Sequence, residues 1–118
     1  MTPTDNDARE AREEIIETQK ILKAYEQTER RSEKEKLSED AYTEAMHSRF
    51  DLKWFLDDEA SAAGDLMKAV EKLMFAVHVG WSYHPHPVVS SADKAAIDMT
   101  DQALHYINTY LEDTNERP

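Results

Sequence analysis

A chain of 118 residues, 40% hydrophobic and 33% charged, fits one small domain with a single core, and that mixture excludes wholesale disorder. Only 14 Lys and Arg stand against 25 Asp and Glu, a net charge of -11, which disfavours phosphate backbones and anionic membrane surfaces and leaves neutral or basic partners. The absence of Cys excludes a disulfide scaffold and thiolate metal sites.

No apolar run reaches the roughly 18 residues of a membrane span. Met1-Thr2-Pro3-Thr4-Asp5 carries neither a basic nor an apolar leader, so the chain reads as cytoplasmic. Two Gly and four Pro, with no long alternating run, predict an all-α protein. The expected fold is a small antiparallel bundle of three to four helices with a long, polar-ended N-terminal helix. Residues 1–118 form one helical domain.

The first helix is expected over 4–36. Asp5, Asp7 and Glu10 complement its dipole, and Ala8, Ala11, Ile15, Thr18, Leu22 and Tyr25 trace its seam. From Glu26 to Lys36 every face is polar, which predicts a solvent-exposed helical arm. With Ser38 as N-cap, a second helix over 39–57 presents Tyr42, Ala45, Met46, Phe50, Trp54 and Leu56 as its apolar face, leaving Leu52 and Phe55 partly outside. A third over 58–79 repeats Ala62, Leu66, Ala69, Val70, Leu73, Met74 and Val77 at helical spacing. Phe75 and Ala76 make its end apolar nearly all round, so that end is expected at the bundle centre. Gly64 suggests a close helix crossing. After an aromatic His/Pro loop over 80–90, a last helix over 91–112 carries the cleanest apolar face, from Ala92 to Leu111.

Glu44-x-x-His47 has the spacing of a carboxylate-bridged metal ligand pair on one helix face. No second such pair exists, and Asp101-x-x-x-His105 is the nearest substitute. These four residues define the alternative metal site, while the leading reading holds no metal and no cofactor. Glu13-Glu14-Ile15-Ile16-Glu17 resembles the first half of the magnesium-binding motif of the all-α nucleoside triphosphate pyrophosphohydrolases. In that family a Glu-x-x-Asp on a later helix completes the set that holds Mg²⁺ on the phosphates. This chain has no Glu-x-x-Asp. Asp98-x-x-Asp101 comes nearest, far down the chain, and a Glu-rich first turn is ordinary helix chemistry, so the match is declined.

His84-Pro85-His86-Pro87 is extended and Pro-stiffened. With Trp81 and Tyr83 it forms an aromatic loop of the kind enriched at interfaces. No nucleophile elbow, phosphate cradle or Walker lysine accompanies it. The leading expectation is therefore a non-enzymatic interaction module (an adaptor, inhibitor or assembly factor) that occupies a partner protein's surface. Trp81, Tyr83, His84 and His86 of the loop and Glu29, Arg30 and Glu33 of the arm are its contact residues. The partner is basic or nucleic-acid-binding in the charge-mimicry version, and the N-terminal helix offers a route to a homodimer. The alternative is a metal-binding bundle or metal-dependent enzyme built on Glu44, His47, Asp101 and His105.

Overall fold

A computed structural model describes the backbone of residues 4–55, 58–80 and 87–116, and the side chains of 4–55, 58–78 and 92–112. Four helices follow one another: α1 (Asp5–Gln27), α2 (Arg31–Asp51), α3 (Asp58–Gly80) and α4 (Pro87–Glu116). The all-α bundle expected from the composition is what forms. Each helix packs on two others in a closed square, α1 on α2 and α4, α3 on α2 and α4, with α1/α3 and α2/α4 on the diagonals. The body measures 56 × 22 × 20 Å, two helix diameters across in both short directions.

The long first helix over 4–36 does not form. It begins as expected, with Thr4 accepting a hydrogen bond from the Asp7 amide at 3.2 Å, but it ends at Gln27. Thr28 and Arg30 adopt extended backbone on either side of the turn. The polar run is the hairpin between α1 and α2, not a projecting arm. Lys34 reaches back from α2 to donate to the Tyr25 carbonyl at 3.0 Å and lies 4.0 Å above the Tyr25 ring. An all-polar continuation buries nothing, whereas folding back buries Ile15, Leu22 and Tyr25 inside the bundle. The seam of α1 is thus covered by helices of its own chain.

The apolar face assigned to α2 holds only in part: Ala45 is buried and Tyr42 packs partly buried against the core, while Leu56 lies outside the described residues. The buried residues of α2 are Ser38, Ala41, Ala45 and Ser48, and Leu52 and Phe55 extend this face past the helix end. Met46, Phe50 and Trp54 are exposed. Ser38, expected as an N-cap, is buried within the helix and donates to the Glu35 carbonyl at 2.8 Å. Ser48 donates likewise to the Ala45 carbonyl, at 2.7 Å. These local bonds satisfy both hydroxyls, so a face of small residues can sit against the neighbouring helices where larger side chains would hold them apart. Phe75, expected at the bundle centre, is also exposed, while Leu66, Val70, Leu73 and Val77 fill the core from α3 as their spacing predicts.

Phe55 meets Tyr110 of α4 edge-on, ring centroids 4.9 Å apart. Gly64 makes no close crossing, because a Cβ there would meet nothing within 4 Å. Gly64→Ala should therefore stabilise the bundle by about 1 kcal/mol, the helix-propensity difference alone. A rise in denaturant midpoint at unchanged m-value would show it. The last helix starts at Pro87, earlier than expected, with the proline at the position where its missing N–H costs no helical bond. Residues 81–86 of the expected loop lie outside the described residues. Among the described residues no helix is long and apolar enough to cross a membrane.

Candidate metal centre

The hairpin at 28–30 decides which side chains meet. Glu14 and Glu44 lie equally far in sequence from Glu29, so an antiparallel α1/α2 pair brings them level. His47, one turn beyond Glu44, shares its face. One potential ligand atom from each of Glu14, Glu44 and His47 lies within 4.8 Å of the others. Glu14 and Glu44 are half-buried, whereas His47 is exposed at the mouth of the cluster. Asp51, a further turn along α2, hydrogen-bonds the Glu14 carboxyl, and Glu10 adds its charge from one turn earlier on α1.

This crowding has a measurable consequence. Burial, then the hydrogen bond and charge of Asp51, then the charges of Glu44 and Glu10 push the Glu14 carboxyl up to about 9. Its Oε2 atom is buried with no hydrogen-bond partner. A carboxyl with that environment either holds a proton or needs a cation.

A second carboxyl pair, Glu26 of α1 with Asp93 of α4, provides a contrast. Burial, a hydrogen bond to Asp93 and the Asp93 charge raise Glu26, but Lys94 and Lys23 oppose the shift. Asp93 also helps burial push the Tyr25 hydroxyl up to about 12. Asp93 Oδ1 is likewise buried with no hydrogen-bond partner, but lysines offset the charge at the Glu26–Asp93 pair, while the charged neighbours acting on Glu14 are all acidic.

Of the residues proposed as metal ligands, Glu44 and His47 are together, but Asp101 and His105 do not join them. Both lie on α4, diagonal to α2. Asp101 accepts from the Gln19 side-chain amide at 2.6 Å, and the same amide donates to Thr100 at 2.8 Å. The His105 ring tilts against Tyr106, 5.7 Å between centroids. Their place in the set is taken by Glu14, with Asp51 beside it. Glu10-x-x-x-Glu14 and Glu44-x-x-His47-x-x-x-Asp51 are readable as single-face patterns, but only the hairpin turns those faces towards each other.

The contact residues expected on the arm sit at the hairpin. Arg30 and Glu33 form an exposed ion pair at 3.6 Å, Thr28 donates to Glu33, and Glu29 is exposed in the turn. Trp81, Tyr83, His84 and His86 fall outside the described residues. Comparison with protein-family models, curated proteins and solved structures gives no match.

Proposed function

We propose that this chain is a divalent-cation-binding helical bundle, with Glu14, Glu44 and His47 as ligands and Asp51 as the carboxylate beside them. The observation that carries the reading is the Glu14 carboxyl, half-buried among acidic groups, with one oxygen left unpartnered. Three protein ligands from two adjacent helices would leave coordination positions open on the exposed His47 side. One imidazole with carboxylates suits Mn²⁺, Fe²⁺ or Zn²⁺ better than an all-oxygen cage suited to Ca²⁺. A cation there would replace the proton on Glu14 and neutralise part of the cluster, and it would polarise any water or anionic oxygen taken up at an open position.

Titration calorimetry of tag-free protein with Mn²⁺, Zn²⁺ and Mg²⁺ tests this reading. A single site is expected, weakened at least about tenfold by His47→Ala or Glu14→Gln, within the range that loss of a ligand or its support produces. Asp101→Asn and His105→Ala should leave it unchanged. Binding that ignores Glu14 and His47 would sink the proposal.

The second reading is the non-enzymatic module that occupies a partner protein's surface. It draws support from Met46, Phe50, Trp54 and Phe75, large apolar side chains left in solvent. Capture of a stoichiometric protein, with and without nuclease and at two salt concentrations, would separate apolar docking from charge mimicry of nucleic acid.

A further inference from the structure

The exposed apolar residues are gathered, not scattered. Met46 and Phe50 occupy successive turns of α2, and Trp54 follows in the turn that ends it. The Lys53 ammonium lies 3.9 Å over the Phe50 ring and 5.3 Å from that of Trp54, gathering these two rings around one cation. Contacts of Arg49 with Met67 and of Glu39 with His78 set α3 antiparallel to α2, which places Phe75 level with Tyr42 on the adjacent helix. Phe50 and Phe75 are the most open of the group, at 65% and 67% exposure. An apolar face of this kind on a small soluble bundle calls for a covering surface.

Charge identifies the cover. Along the exposed side of α2, acidic Glu39 and Asp40, with Lys36 one turn earlier and His78 of α3 beside Glu39, precede the apolar group, and basic Arg49 and Lys53 lie at its far end. A partner of uniform charge would meet repulsion at one end or the other. A surface with the reverse order is matched at both ends, and α2 itself, turned around, has that order. We propose that two copies of this chain pair through the outer faces of α2, antiparallel about a two-fold axis near Met46. Lys53 then faces the partner's Glu39, Phe50 the partner's Tyr42, and Met46 its own copy at the axis. The contact is isologous, as two-fold interfaces are, and it puts opposite charges together in a chain whose net charge of -11 would otherwise keep copies apart. The pairing is independent of any cation at Glu14.

Sedimentation equilibrium of the full chain from about 1 to about 200 μM, a range that spans dimers of moderate affinity, tests the proposal. A dimer mass is expected at the upper end. Phe50→Glu should give a monomer with an unchanged far-ultraviolet helical spectrum, since this side chain contributes to no core. Glu39→Lys and Lys53→Glu should each weaken association about tenfold, the scale of losing a matched charge pair and creating a like-charge one. The double variant should recover most of that loss. A monomer at every concentration, a dimer that survives Phe50→Glu, or a double variant no better than the single ones would overturn the proposal.

Discussion

The melting temperature of the metal-free protein should fall as pH rises from about 5 towards 9, and Glu14→Gln should flatten that fall. In the fold the Glu14 carboxyl holds its proton up to about 9, whereas its ordinary value is 4.5. Between those limits the native state binds a proton that the unfolded chain has released, so stability declines with pH. The contribution is complete below about 4.5 and gone above about 9. Self-repulsion within the acidic chain acts in the same direction, and the Gln variant separates the two because it keeps all other charges. Solvent screening at this half-open site reduces the expected gain of Glu14→Gln at pH 8 to about 1 kcal/mol, roughly 3–6 °C in a domain of this size. Thermal melts at five pH values with a chelator present would show it. Parallel slopes in the two proteins would exclude Glu14 as the titrating group.

Phe55→Ala should cost about 3–5 kcal/mol, whereas Phe50→Ala should change the unfolding free energy of the monomer by about 0.5 kcal/mol or less. Both are phenylalanines within one turn region, and the apolar pattern of the segment ranks them the other way. Phe55 is 5% exposed and stacked edge-on against Tyr110, while Phe50 stands in solvent with Lys53 over its ring. Truncating Phe55 therefore loses transfer energy, leaves a cavity and breaks the aromatic contact that ties the end of α2 to α4. Urea unfolding at low micromolar concentration, where pairing of copies contributes least, gives both values. Similar losses for the two variants would mean that the exposed face of α2 is packed within the monomer.

The reason this ranking is hidden in the sequence lies in the small residues of α2. Its inward positions are Ser38, Ala41, Ala45 and Ser48, which carry little hydrophobic signal, while Met46, Phe50 and Trp54 carry a strong one and point away. A helix joined on both flanks to close neighbours buries whatever allows the closest approach, and small side chains with internally bonded hydroxyls do this well. In α1, α3 and α4 the periodic apolar side chains coincide with the packed face, so Ile15, Leu22, Leu66, Leu73 and Ile107 are buried where their spacing puts them, Phe75 of α3 standing outside that stripe in solvent. The same divide runs through the candidate site. Glu44 and His47 are legible because their partnership is local to one helix, whereas Glu14 belongs with them only because the chain reverses at Thr28–Arg30.

Scarcity of Gly and Pro, helical periodicity in three of the four segments and the acidic first turn of α1 suffice to specify an all-helical bundle, because each acts over a single turn or a single helix face. The reversal that splits the first long polar run, the face of α2 that turns inward and the meeting of Glu14 with Glu44, His47 and Asp51 depend on contacts between residues far apart in the chain. Those contacts follow from the burial gained when α1 folds back against α2 and α4, an energy no local pattern carries.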